Sequence, residues 1–108
     1  MSDGLGFACN MSAMTLEERA RYGVIREKLE KAVCAVLELE NGYLFRLFSG
    51  VVSLEEMAEW IEYEEKCCPF FGLGVETGLD EGPIGLRVTG AAGVKEFIRA
   101  EFGAVKFW

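Results

Sequence analysis

The 108-residue chain contains no histidine. That absence removes the side chain that most often serves as a base near neutral pH, and the commonest metal ligand. A nucleophile here would need activation by Glu, Lys, Tyr or a helix terminus, and a metal site would rest on sulfur and carboxylate. Basic residues are also scarce, 11 against 18 acidic, for a net charge of −7. Phosphate backbones are bound by clustered Lys and Arg, so a nucleic-acid partner is not expected. No apolar run approaches the ~18 residues of a membrane span. The first residues, Met1-Ser2-Asp3-Gly4, lack the basic start and apolar stretch of a signal peptide, and a cytoplasmic protein without a membrane partner is expected. No linker, repeat or Cys-x-x-Cys knuckle interrupts the chain.

What is present fits one small folded domain over residues 1–108, with 51% hydrophobic and 27% charged residues. Residues 1–14 lack periodicity and read as an irregular segment carrying Cys9. Thr15-Leu16-Glu17-Glu18 has the form of a capping box, so a helix is expected to about Lys31, with Leu16, Ala20, Ile25 and Leu29 among its apolar positions. Ala32 to Leu39 and Tyr43 to Phe48 flank Asn41-Gly42 and predict an antiparallel hairpin of open register. Apolar surface left over on one face of it would indicate a covering segment or a homodimer.

Ser53-Leu54-Glu55-Glu56 is a second capping box, and Leu54, Met57, Ala58 and Ile61 predict one apolar stripe. Pro69 disfavours helix at Cys68, so this helix should end near Cys67. Phe71 to Val75 and Ile84 to Val88 alternate as strands around an Asp80-Glu81-Gly82-Pro83 turn. A last helix carries Val94, Phe97, Ile98 and Phe102. The expected fold is α+β, in the order α-β-β-α-β-β-α, with a mainly antiparallel four-stranded sheet packed by helices.

The four cysteines carry the chemistry. Cys34 lies in an apolar run, where a thiol behaves as a small hydrophobe. Cys67 and Cys68 follow Glu62, Glu64 and Glu65 at a helix C-terminus, and both the dipole and the carboxylates oppose a thiolate. A disulfide between these neighbours would close a strained ring, because bridged Cα atoms sit ~5.5 Å apart and consecutive ones ~3.8 Å. A soft cation reverses the electrostatics, since it deprotonates its thiol ligands and is favoured by carboxylates. Cys9, Cys67 and Cys68 are then the candidate ligands of a three-thiolate site, with Met11, Met14 or Glu64 as a fourth contact. Trp60, Glu64 and Cys67 fall on one helix face, and Tyr63 is a further supporting candidate. The competing readings are a plain core at the Cys-Cys-Pro-Phe helix end, a redox or thiol-transfer protein using the adjacent pair, and a non-catalytic interaction domain. A binding protein is expected in preference to an enzyme.

Ala8-Cys9-Asn10-Met11, Gly42-Tyr43-Leu44-Phe45-Arg46 and Glu64-Glu65-Lys66-Cys67-Cys68-Pro69-Phe70 together resemble a family of small, uncharacterised bacterial proteins. Leu86-Arg87-Val88-Thr89-Gly90 and Val94-Lys95-Glu96-Phe97 extend the resemblance over nearly the whole chain. That family is associated with heavy-metal resistance genes, which implies handling of a soft ion such as Hg(II), Cu(I), As(III) or Zn(II). The matching positions are Cys9, Cys67 and Cys68, and Cys34 lies outside the pattern.

Overall fold

A computed structural model of the chain describes residues 9–77 and 84–108. After a short 3-10 turn at Met11–Ala13 come α1 (Leu16–Ala32), β1 (Val33–Leu39), β2 (Gly42–Leu47), α2 (Leu54–Cys67), β3 (Gly72–Glu76), β4 (Ile84–Thr89) and α3 (Val94–Glu101). The fold is α+β in the order the sequence predicts. Residues 1–8 of the segment expected to be irregular, and the turn expected at Asp80–Pro83, lie outside the described residues.

Local chemistry sets the helix ends. Thr15 Oγ1 accepts from the Glu18 N–H at 3.1 Å, and the Glu18 carboxylate accepts from the Thr15 N–H at 2.9 Å. Ser53 and Glu56 make the same reciprocal pair at 3.0 and 3.1 Å. Each box satisfies backbone donors that a helix start leaves unpaired. At the other end of α2, Cys68 adopts φ −131°, outside the helical region, as a residue before proline should.

The sheet has strand order β1-β2-β4-β3, and every neighbouring pair is antiparallel. The hairpin turn sits one residue earlier than Asn41-Gly42 implies: Leu39 pairs with Gly42, leaving Glu40 and Asn41 as the turn. Gly42 is needed inside the strand, because a Cβ there would lie 2.0 Å from the Val88 carbonyl oxygen on β4. Tyr43, Phe45 and Leu47 alternate onto one face beside Val88, Leu86 and Ile84, and α3 packs against β2 and β4. Phe45 meets Phe102 at a ring separation of 5.3 Å, and Phe97 meets Phe71 at 5.9 Å. The opposite face carries Leu37, Leu44 and Arg87, with Leu37 45% exposed.

Two apolar stripes match expectation in part: Ile25, Leu29 and Met57 are buried as expected and Ile61 is half-buried, but other positions differ. On α1 the buried positions are Tyr22, Ile25, Leu29 and Ala32, whereas Leu16 and Ala20 are exposed. On α2 they are Met57, Trp60, Glu64 and Cys67, while Leu54 and Ala58 face solvent. The α2 stripe thus passes through a glutamate that hydropathy alone assigns to the outside. Ion pairs fix α1 beside α2: Arg21 grips Glu59 with two bonds of 3.0 and 2.9 Å, and Lys28 and Lys66 reach Glu56 and Glu18 at 2.6 Å.

The Arg21 guanidinium, and then the Tyr63 hydroxyl, hold the Glu59 carboxyl down at about 2 against an ordinary 4.5. A carboxyl depressed in the folded state stabilises fully above its unfolded value, and that contribution disappears as pH falls toward 2. Glu59→Gln should therefore lower the thermal midpoint at pH 6, and the deficit should close between pH 4.5 and 2. Parallel melting curves of the two proteins across that range check it, and a deficit that stays constant contradicts the ion-pair assignment.

Candidate metal centre

Cys67, in the last turn of α2, and Cys68, just beyond it, are both fully buried. The segment before α1 comes to them by backbone bonding, since the Asn10 N–H donates to the Cys67 carbonyl at 2.7 Å. Met14, 2% exposed, anchors the same segment in the core. Half-buried Cys9 consequently lies over the helix end, and a disulfide joins it to Cys68 across 59 residues with a Cα separation of 4.8 Å. The adjacent pair is not bonded: the Cys67 and Cys68 sulfurs stand 3.8 Å apart, and Cys67 is a free thiol.

The sequence reading is met in position and corrected in redox state. Cys9, Cys67 and Cys68 do converge, but two of the three sulfurs are covalently joined. Glu64 completes the group. One ligand atom from each of Cys9, Glu64, Cys67 and Cys68 falls within 4.8 Å of the others.

Glu64 is 1% exposed, the one buried charged residue among those described. Its Oε2 accepts from the Tyr22 hydroxyl at 2.7 Å, and its Oε1 lies 3.9 Å from the Cys67 sulfur. Tyr22 in turn accepts from Arg26 at 2.9 Å. Arg26 also bonds the Glu101 carbonyl, approaches the Glu101 carboxylate at 3.5 Å and lies over the Phe102 ring at 4.7 Å. Burial pushes the Glu64 carboxyl above its usual range, while the Tyr22 bond and then the Arg26 charge pull it back. Burial first and the Glu64 charge second push the Cys67 thiol up to about 12. An unaided Cys67 is a poor nucleophile, because only the thiolate attacks.

The supporting candidates divide. Trp60 is fully buried one turn before Glu64 and stacks on Tyr22 at 6.3 Å, 11° from parallel. Its indole N–H has no hydrogen-bond partner among the described residues. Tyr63 is not part of the cluster: its hydroxyl donates to Glu59 at 2.7 Å, on the α1-facing ion-pair row. Met14 is spent on the core, and Met11, 39% exposed, lies at the surface of the 3-10 turn. Cys34 is a free, half-buried thiol at a bulge in β1.

Tyr22 and Arg26 are the functional neighbours that sequence reasoning missed. Tyr22 is three residues from Ile25 and seven from Leu29, so its place on the buried stripe was available in the pattern. The carboxylate it serves was not. Sulfur and carboxylate donors in a buried, histidine-free set fit thiophilic ions, and reduction of the Cys9–Cys68 bond turns one thiol into three. Comparison with family models, with curated proteins and with solved structures returned no match.

Two outcomes test this geometry. In the folded oxidised chain, Cys34 should react with a colorimetric disulfide reagent and Cys67 only after unfolding; equal native rates contradict the burial. Tyr22→Phe removes the donor to a buried carboxylate and should cost about 1–3 kcal/mol in denaturant-unfolding free energy. A cost near zero contradicts the Tyr22–Glu64 bond.

Proposed function

We propose that the reduced chain binds one soft metal or metalloid ion through the thiolates of Cys9, Cys67 and Cys68. Glu64 is the fourth donor or the group that orients them. The observation that carries this reading is the convergence of three sulfurs and one buried carboxylate oxygen within 4.8 Å, from segments more than fifty residues apart. Hg(II), Cu(I), As(III) and Zn(II) are the ions whose preference for thiolates fits the set. The cation supplies the charge that stabilises a Cys67 thiolate, offsetting what burial and Glu64 oppose. The Tyr22–Arg26 pair, with Trp60 stacked on Tyr22, fixes the Glu64 carboxylate, the kind of outer support that tunes ligands. On this reading the protein is a cytoplasmic ion-binding protein serving heavy-metal resistance, as its resemblance implies.

The disulfide beside a free thiol favours a second reading, a thiol-transfer protein. The high Cys67 pKa and its complete burial weigh against it, because such a protein needs an accessible thiolate.

The test is titration of the reduced chain with each ion, read by intact mass under non-denaturing conditions. One ion per chain is expected. Cys67→Ser or Cys68→Ser should weaken binding by more than about 100-fold, more than loss of an outer-shell partner costs. Cys34→Ser should leave it unchanged. No stoichiometric uptake of any of these ions contradicts the reading.

A further inference from the structure

The sulfurs of Cys9 and Cys68 cannot be partners in a disulfide and two thiolate ligands at once. Resting on the ion-binding reading above, we propose that the Cys9–Cys68 disulfide is a redox gate on that site, opened by a low-molecular-weight thiol that attacks the Cys9 sulfur. The direction of attack follows from burial. Cys67 and Cys68 are both 0% exposed, whereas Cys9 is half-buried on a segment outside the helices and strands. A thiolate must reach a disulfide sulfur to displace its partner, and Cys9 is the residue of the bonded pair that retains exposed surface.

The resident thiol is the wrong opener. Cys67 lies 3.8 Å from the Cys68 sulfur, and its attack would release Cys9 by forming a bond between neighbours. Their Cα atoms are held ~3.8 Å apart, short of the ~4.4–6.8 Å that disulfides span.

The steps balance. A thiolate RS⁻ bonds to the Cys9 sulfur, the Cys9–Cys68 bond breaks, and its electron pair leaves on Cys68, which takes up a proton. A second RS⁻ attacks the mixed disulfide at the R sulfur, forming RSSR and releasing the Cys9 thiolate. Two electrons have passed from two external thiols to the protein, whose site now holds three thiols, Cys9, Cys67 and Cys68. The Asn10 N–H bond to the Cys67 carbonyl and the buried Met14 do not depend on the disulfide. They keep Cys9 over the helix end, so the opened gate is already the assembled site.

The experiment uses the oxidised full chain. It is treated briefly with glutathione, quenched with acid and mapped by tryptic peptides; cleavage after Arg19 and Lys66 puts Cys9 and the Cys67–Cys68 pair on separate fragments. The mixed disulfide is expected on Cys9. An adduct on Cys68, or a Cys67–Cys68 disulfide in its place, overturns the direction of opening. In parallel, oxidised and reduced chains are titrated with arsenite and with Zn(II). The oxidised form should bind at least about 100-fold more weakly, having lost two of three ligands. Equal affinities overturn the gate. Uptake by neither form removes the ion site itself and the gate with it, a result distinct from equal affinity, while the adduct map still decides where a thiol enters.

Discussion

Glu64 sits where a helix would ordinarily place a leucine, on the buried stripe between Trp60 and Cys67. A carboxyl taken out of water is costly unless it is hydrogen-bonded or paired, and removing a partner exposes the full penalty. The Tyr22 hydroxyl supplies one bond to one oxygen, and Arg26 backs the tyrosine from a position wedged against Phe102 and Glu101. That arrangement leaves the second oxygen facing sulfur. The bond that keeps this carboxyl satisfied joins α1 to α2 in the interior, beside the stacking of Tyr22 on Trp60, and complements the ion pairs that join the two helices at the surface.

The cysteine cluster is then a product of how two ends of elements meet. The Thr15 box starts α1 so that the preceding turn runs back over α2, and Pro69 stops α2 so that Cys68 leaves the helix. Backbone bonding from Asn10 to Cys67 closes the contact. A disulfide typically stabilises by constraining the unfolded chain, more so for long loops. The bond across 59 residues therefore ties stability to the same sulfurs that an ion would need. A high thiol pKa at Cys67 disables an unaided nucleophile, whereas in a metal ligand it makes binding pH-dependent, because the ion must displace the proton. The acidic setting and burial of the cluster oppose an unaided thiolate, and a soft cation would offset both.

Much of this was legible along the chain, and the failures have identifiable causes. Both capping boxes and the Pro69 stop are short-range rules acting on one or two residues, and each appears where the sequence places it. The stripes of α1 and α2 match the pattern at Ile25, Leu29 and Met57 and depart from it elsewhere, because Leu16, Leu54 and Ala58 have helical spacing as good as that of Tyr22, Trp60 and Glu64. Which set is buried depends on the partner helix, and a glutamate in a core carries no hydropathy signal. The hairpin turn was displaced by one residue because Asn-Gly is a strong local signal, whereas Gly42 answers to the close passage of β4. Cys9, Cys67 and Cys68 were legible as a set through their residue types and their contexts. Their bonding state was not, because whether two thiols pair depends on a distance between segments far apart in sequence.

The central claim is that Cys9, Cys67 and Cys68 together hold one ion when all three are thiols. X-ray absorption at the zinc edge, on the reduced chain loaded with one equivalent of Zn(II), tests it most directly. The account predicts a first shell of three sulfurs at about 2.3 Å with one lighter donor, the geometry of zinc thiolates. A first shell of oxygen or nitrogen donors, with at most one sulfur, would contradict it.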